Sequence, residues 1–287
     1  MVPKLEERSQ RELTVGVLGL GQMGGSICAA ISRKCLNWQV VAYDPDRKLV
    51  NTAVDRSICQ STHKSEAEVI AAADIVILAV HHQIAVKLLR IHAEQLRRSQ
   101  LVLDVGTVKL EICGEAEQLG LTNFIGGHPL AGSEKTAPEA WRYDLFENAR
   151  IFIATSMNTT DVSRRLMLEL IASLGALPTE IDPQQHDEVV GLTIGLPHLV
   201  AFALQTLAER QQDAGDLVKM LAGPSFASAT RVAHSDKQMA RQILWSNRRS
   251  IVPQLERLQQ LLGEVKDGLA REDEASLRQL IDTTGAL

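Results

Sequence analysis

The sequence is poor in aromatic residues and has no excess of positive charge. Phe, Trp and Tyr make up 3% of the 287 residues. The 30 basic and 35 acidic side chains give a formal net charge of -5, and no dense Lys/Arg stripe is present to release counterions from a nucleic-acid backbone. We therefore expect no nucleic-acid partner.

Cysteine and long apolar runs are also scarce. The four cysteines contain no Cys-x-x-Cys pair and are too sparse for a disulfide scaffold, so we expect reduced core residues. No apolar run reaches the roughly 18 residues that a bilayer-spanning helix needs, and the start, MVPKLEERSQRE, is too polar for a signal peptide. These absences predict a cytoplasmic protein without a membrane partner.

The first half carries the pattern of a parallel sheet. Short runs rich in Val, Ile and Leu occur at 13–20, 39–44, 74–80, 101–105, 123–127 and 150–155, with 176–181 as a last strand. Such runs without polar alternation suit strands that are covered on both faces. The segments between them are of helical length, as βαβ crossovers require. We predict a Rossmann-like, doubly wound, mostly parallel sheet over 13–182, after a mobile polar extension at 1–12.

From 183 to 287 the pattern changes to long helical stretches with apolar faces. About a hundred residues are too few to cover those faces within one subunit. Because most helix stability comes from packing an apolar face, burial against a second copy is the economical solution. We predict an all-helical domain that forms a homodimer; an ordinary helical bundle packed on its own sheet is the alternative.

A glycine-rich motif, Gly19-Leu20-Gly21-Gln22-Met23-Gly24, follows the first strand and opens a helix. Gly19 suits the tight turn, Gly21 leaves room for a pyrophosphate, and Gly24 permits close packing of helix on strand. Asp44 ends the second strand, where an acid accepts hydrogen bonds from ribose hydroxyls. We predict NAD as the cofactor, bound by Gly19, Gly21, Gln22, Met23, Gly24 and Asp44. Arg47 leaves NADP possible, and Asp44 could instead cap a turn.

His128, in the stretch FIGGHPLAGSEK, follows a predicted strand at the cofactor side of the sheet. A histidine there can take a proton from a hydroxyl while the same carbon gives a hydride to a nicotinamide. Thr107 follows the neighbouring strand and could hold the ring by a hydrogen bond. Taken alone, Gly-Gly-His-Pro is also typical of a structural turn. His81 and His82 lack nearby ligands at metal spacing, so we predict no metal site.

Several motifs together resemble the prephenate/arogenate dehydrogenase family of tyrosine biosynthesis. They are the glycine motif, LDVGTVK, IGGHPLAGSEK, DLFENA, HDEVVGL, LPHLVAFAL and ATRVAHSD. The resemblance covers roughly residues 13 to 265 and implies an NAD(P) domain joined to a helical dimerisation domain. It also implies oxidative decarboxylation of prephenate or arogenate, which are small carboxylic acids.

The resemblance implies roles for single residues. His128 matches the catalytic histidine that accepts the proton of the ring hydroxyl, and Thr107 matches a serine bonded to that histidine. Arg231 matches the arginine that grips the ring carboxylate, because a planar guanidinium can pair both oxygens. Arg231 could instead pair with an acid at a helix junction. Loss of the carboxylate as CO₂ would leave an aromatic phenol.

Further polar residues match the substrate end of the family's site. Ser133 and Glu134 match residues at its mouth, and His198 matches a histidine where the substrate's side-chain carboxylate is expected. His198 is equally typical of a core histidine. His186 and Asp187 match a pair near the entrance of the helical domain. They could equally start a helix, where an acid suits the dipole.

The sequence also departs from the family pattern at the substrate end. Ile194 and Gly195 stand where the family commonly has Ser-His, while Ala227 and Ala240 replace a polar and an aromatic residue. The substrate pocket is therefore expected to be less polar, and prephenate cannot be told from arogenate. Two alternatives stay open: a dehydrogenase of another cyclic hydroxy acid, and a nucleotide-binding relative without activity.

Overall fold

The structure, a computed structural model, describes residues 12–35, 37–133, 135–211 and 215–282. Residues 1–11 of the predicted extension, and Glu134, lie outside the described residues. The chain forms two compact units. The first ends at Asp187 and also takes in Arg241–Ser246, and the second comprises Glu188–Ala240 and Asn247–Leu287.

The first unit is built on one eight-stranded sheet with the order β3-β2-β1-β4-β5-β6-β7-β8. Its strands are β1 (Leu13–Leu18), β2 (Trp38–Tyr43), β3 (Ser61–Thr62), β4 (Ile75–Leu78), β5 (Leu101–Asp104), β6 (Phe124–Pro129), β7 (Arg150–Ala154) and β8 (Leu177–Glu180). All pairs are parallel except β6 with β7. The predicted Rossmann-like, mostly parallel sheet is confirmed, while the two-residue strand β3 was not predicted.

Seven helices connect or follow these strands. They are α1 (Gln22–Lys34), α2 (Arg47–Asp55), α3 (Glu66–Ala72), α4 (His82–Leu96), α5 (Leu110–Gln118), α6 (Asp161–Leu174) and α7 (Pro183–Val190). Asp46, Ser65 and Thr160 cap α2, α3 and α6 by accepting backbone N–H groups, as short polar side chains do at helix starts. Both faces of the sheet carry a cluster of buried apolar side chains, which explains why the strands lack polar alternation.

The described residues of the second unit form helices joined by short turns, as predicted. Its elements are a π-helical turn (Gly191–Gly195), α8 (Leu196–Glu209), α9 (Gly215–Leu221), α10 (Pro224–Thr230), a 3₁₀ turn (Arg231–His234), α11 (Lys237–Ser246), α12 (Arg248–Ala270) and α13 (Glu274–Asp282). The end of α11 is counted with the first unit. Within the second unit, the π-helical turn packs against α12 through Gly191 and Gly195, which approach Ser250 and Ile251.

One helical stretch in the described part of the chain, Pro183–Glu209, is long and apolar enough to cross a membrane by length and composition. Its most apolar window has a mean hydropathy of 1.6, and 28% of that window is buried. The expectation that no run reaches spanning length is therefore wrong for this stretch. Length and composition alone are weak evidence of a span, because core helices pass the same test.

Candidate active site

The glycine-rich loop between β1 and α1 has the form of a dinucleotide site. Gly19 adopts φ 96°, and a side chain there would strike the Ala79 carbonyl at 2.5 Å. A Cβ on Gly24 would lie 1.9 Å from the Gly19 carbonyl oxygen, whereas a Cβ on Gly21 would meet nothing within 4 Å. No side chain caps α1 and its first turn has no acidic residue, so its free N–H groups and dipole can receive a pyrophosphate.

Asp44 links this loop to β2. Its Oδ2 accepts the N–H of Leu20 at 2.7 Å, and its Oδ1 accepts the N–H of Asp46 at 2.8 Å. The carboxylate therefore closes a turn, as the alternative interpretation expected. Each carboxylate oxygen can accept a second hydrogen bond, so this arrangement leaves capacity for ribose hydroxyls.

The segment that follows β6 is tied to the glycine loop at two points. The Gln22 amide donates to Ser133 Oγ at 2.6 Å and accepts the Ser133 N–H at 3.1 Å. The Trp141 indole donates to the carbonyls of Leu20 and Gly21, at 3.1 and 3.0 Å. A predicted cofactor residue, Gln22, and a predicted substrate residue, Ser133, are thus in direct contact.

His128 lies within β6, near its carboxyl end, and pairs with Phe152 of β7. The sequence placed it after the strand instead. The two preceding glycines serve close packing: a Cβ on Gly126 would meet Cys113 Sγ at 2.9 Å, and one on Gly127 would meet the Asp104 carbonyl oxygen at 2.9 Å. The glycines therefore allow α5 and the end of β5 to lie directly against the strand that carries the imidazole.

A chain of three buried polar side chains leads away from His128. His128 Nδ1 lies 2.9 Å from His186 Nε2, and His186 Nδ1 lies 2.8 Å from Asp187 Oδ1. His128, His186 and Asp187 are 5%, 1% and 1% exposed. The Asp187 carboxylate also accepts the backbone N–H groups of Lys109 and Leu110, both at 2.8 Å. It therefore sits at the positive end of α5, where a carboxylate is stabilised.

This geometry corrects one interpretation of the His186-Asp187 pair. The first turn of α7 contains no acidic residue, and Asp182 Oδ1 instead accepts the N–H groups of Gln184 and Gln185, at 2.9 and 3.0 Å. The pair does not start its own helix. Asp187 serves the N-terminus of α5, a helix far away in the sequence.

A buried ion pair lies beside the same chain. Lys109 Nζ contacts the Asp104 carboxylate, and both side chains are fully buried. Burial lowers the pKa of Lys109 to about 8, while the nearby Asp187 carboxylate acts in the opposite direction. Burial also lowers the pKa of His128 to about 3, and the Lys109 ammonium group nearby acts in the same direction. The His128 imidazole is therefore neutral at pH 7 and able to accept a proton.

Thr107 differs from its predicted role. Its side chain is half-buried in the loop after β5, and no hydrogen bond between Thr107 and His128 is present among the described residues. The His128 ring is hydrogen-bonded through Nδ1 to His186 instead. The sequence missed this contact because His186 is 58 residues away along the chain.

Arg231 and His198 belong to the second unit, so the structure leaves their roles at the His128 site as predictions. Arg231 is exposed at the start of the 3₁₀ turn. His198 Nδ1 lies 2.8 Å from the Ile194 carbonyl oxygen and must donate to it, because a carbonyl only accepts. That contact leaves the Nε2 edge of His198 for another group.

Two departures from the family pattern have a packing role in the second unit. A Cβ on Gly195 would lie 2.7 Å from Ile251 Cδ1, so a histidine at this position would not fit the present pairing of helices. Ala240 is 1% exposed in α11, where a larger ring would need new space. Ala227 is exposed on α10, and nothing in the structure explains its identity.

Comparison with known proteins identifies the family. Residues 27–177 match the sequence model of the prephenate dehydrogenase nucleotide-binding domain, and residues 182–283 match that of the prephenate dehydrogenase dimerization domain. The chain belongs to the prephenate dehydrogenase family. The resemblance stated from the sequence is thereby confirmed.

Similar proteins span most of the chain. The prephenate dehydrogenase of Lactococcus lactis is 31% identical over 93% of this chain and 74% of its own length. That of Bacillus subtilis is 27% identical over 96% of this chain and 75% of its own length. A crystal structure of Aquifex aeolicus prephenate dehydrogenase, in complex with hydroxyphenyl propionate and NAD+, is 29% identical, covers 96% of both chains and has a TM-score of 0.85.

The match to the prephenate dehydrogenase nucleotide-binding domain begins at residue 27, after the glycine motif. The dinucleotide interpretation of that motif therefore depends on its own geometry.

Trp141, which the sequence analysis did not single out, is part of that geometry. The available signal was Gly25, an extra glycine directly after the motif: a Cβ there would lie 2.0 Å from the Trp141 indole nitrogen.

Proposed function

We propose that the protein catalyses the NAD-dependent oxidative decarboxylation of prephenate or arogenate, forming 4-hydroxyphenylpyruvate or tyrosine. The observation that carries this proposal is the buried, neutral imidazole of His128 at the carboxyl end of β6. It lies at the same edge of the sheet as the glycine loop, where doubly wound sheets bind their ligands. Membership of the prephenate dehydrogenase family supports the choice of substrate.

The first unit fits NAD. The open space at Gly21 and the uncapped α1 suit the pyrophosphate, and Asp44 suits the ribose and disfavours a 2′-phosphate. In the sheet order, β1 and β6 are three strand spacings apart, about 14 Å, a span that an extended dinucleotide can bridge. When bound, NAD+ supplies the acceptor for a hydride from the substrate.

His128 is the general base of the proposed reaction. Its Nε2 accepts the proton of the ring hydroxyl as hydride leaves the carbon that bears this hydroxyl. The bond from the ring to its carboxylate breaks, the electron pair enters the ring, and CO₂ departs. His128 then returns the proton to the ring oxygen, so that a phenol forms and no net proton is released.

Four residues are proposed to hold the substrate. Arg231 pairs with the ring carboxylate that is lost, since a planar guanidinium can engage both oxygens. The family resemblance assigns Ser133 and Glu134 to the mouth of the site and His198 to the substrate's side chain, and we keep these roles as part of the proposal. Of these, Ser133 already contacts Gln22 of the glycine loop, which supports a position beside the cofactor.

We further propose a cytoplasmic homodimer formed through the C-terminal helices. The match to a dimerization domain over 182–283 supports this assembly. Exposed apolar side chains such as Leu207 at 59% and Leu262 at 57% supply surface to bury. A second copy would then cover the apolar surface of Pro183–Glu209, and no membrane is involved. Light scattering should report twice the chain mass for the wild type, and Leu262→Glu should lower it.

The test of the catalytic proposal is NADH formation, followed by absorbance with prephenate and with arogenate and with either nicotinamide cofactor. His128→Asn should retain the wild-type Kd for NAD while kcat falls roughly 10²–10⁴-fold, the usual contribution of a general base. Arg231→Gln should raise KM for the acid and spare the Kd for NAD. Normal turnover by His128→Asn would overturn the role of His128. NAD binding without turnover of either acid would favour a different substrate.

A further inference from the structure

We infer that His186 and Asp187 are positioning residues for His128: together they fix its tautomer so that Nε2 faces the substrate as a bare acceptor. This inference rests on the proposed function and deepens it. The family resemblance placed the pair near the entrance of the helical domain and gave the orienting role to Thr107. The hydrogen bonds of the first unit place the pair directly behind the imidazole.

The positions of the protons in this series of hydrogen bonds can be deduced by starting from Asp187. Asp187 accepts two backbone N–H groups of the Lys109-Leu110 segment, and these donors hold it as a carboxylate at the positive end of α5. A carboxylate can only accept, so His186 Nδ1 carries the proton in their 2.8 Å contact. The Nε2 of a neutral His186 is then an acceptor.

The same reasoning applies to the His128 ring. Because His186 Nε2 accepts, His128 Nδ1 must donate across their 2.9 Å contact. A neutral imidazole has one N–H, so His128 Nε2 is left with a lone pair. Among the described residues no hydrogen bond occupies that Nε2. The base of the reaction is thus assigned to one atom, Nε2 of His128.

The surroundings make this arrangement specific. The rings of His186 and Phe152 are in T-shaped contact at a centroid distance of 5.9 Å, a packing contact that disfavours rotation of the imidazole. Charged and titratable groups near the chain include Lys109 and its partner Asp104, Cys113, and Asp182, which acts on Cys113. Burial raises the pKa of the Cys113 thiol to about 11, so this thiol stays neutral. When His128 takes the substrate's proton, the Asp187 charge at the far end compensates the new imidazolium.

Two substitutions at His186 separate positioning from packing. In His186→Gln the amide oxygen can occupy the place of Nε2 and accept from His128, whereas His186→Phe keeps the ring shape and removes the acceptor. We expect kcat to fall roughly 10²-fold or more in His186→Phe and to stay within roughly tenfold of wild type in His186→Gln, about one hydrogen bond. The Kd for NAD should be unchanged in both. Equal kcat in the two variants, or a better Phe variant, would overturn the inference.

A second experiment determines the tautomer of His128 in the wild-type protein itself. Long-range ¹H–¹⁵N correlations of histidine-labelled protein, assigned with His128→Asn, report which imidazole nitrogen carries the proton. We expect the proton of His128 on Nδ1; a proton on Nε2 in the free protein would overturn the inference. This readout does not depend on turnover, so it stands even if the proposed substrate is wrong. Thr107→Val should leave the tautomer unchanged, and a switch in that variant would return the orienting role to Thr107.

Discussion

Replacing Gly25 by alanine tests how the glycine loop is held. A Cβ at this position would lie 2.0 Å from the Trp141 indole nitrogen, whereas ordinary contact needs about 3.5 Å. The indole would have to retreat by about 1.5 Å. Its hydrogen bonds to Leu20 and Gly21, now 3.1 and 3.0 Å, would then be broken.

The expected cost follows from these contacts. Overpacking a well-packed site costs about 1–3 kcal/mol, and each lost hydrogen bond costs about 1 kcal/mol. We expect Gly25→Ala to lower the free energy of unfolding by about 3–5 kcal/mol. The carbonyls of the loop would also lose their fixed position, so the Kd for NAD should rise.

Gly21→Ala is the matched control, because a Cβ there meets nothing within 4 Å and φ is -63°. It should leave the free energy of unfolding unchanged or raise it by about 0.4–1 kcal/mol, while its methyl group obstructs the pyrophosphate and raises the Kd for NAD. Urea unfolding and calorimetric titration with NAD measure both quantities. Wild-type stability in Gly25→Ala would refute the role given to the Trp141 contact.

Three further predictions concern charge. Asp44→Asn should raise kcat/KM with NADP relative to NAD by roughly tenfold, about 1.4 kcal/mol, in steady-state assays; an unchanged ratio would remove Asp44 from cofactor selection. Burial lowers the pKa of His128 from 6.5 to about 3. On acidification His128 is therefore protonated in the unfolded state before it is protonated in the folded state. The free energy of unfolding should fall as the pH decreases from about 6.5 towards 3. Urea unfolding should show a shallower loss in His128→Asn, and an equal slope would contradict the shift. The double variant Asp104→Asn/Lys109→Met removes the buried charge pair without leaving one charge unpaired. Because the Lys109 charge lowers the pKa of His128, this pKa should rise in the variant. In a pH profile of kcat/KM, the fall in activity on the acid side should therefore move to higher pH.

Local sequence was sufficient for the elements of the sheet and for the cofactor loop. The glycine motif was predicted to open a helix, and α1 begins within it at Gln22; the predicted strand at 101–105 overlaps β5. These features are determined by neighbouring residues: a run of β-branched side chains, or glycines where the backbone needs φ 96° as at Gly19. The change to long helical stretches after residue 183 likewise predicted the helical second unit.

The arrangement around His128 was decided by tertiary structure. Its partner His186 is 58 residues away, Asp187 meets Lys109 across 78 residues, and Trp141 meets Gly21 across 120 residues. No local pattern encodes such contacts, since hydrogen bonding between distant side chains depends on how strands and helices are brought together. The sequence alone determined that an imidazole stands at the ligand edge of a dinucleotide-binding sheet. Packing around α5 and α7 decided which residues hold that imidazole, because a buried donor or acceptor must find its partner wherever the fold places one.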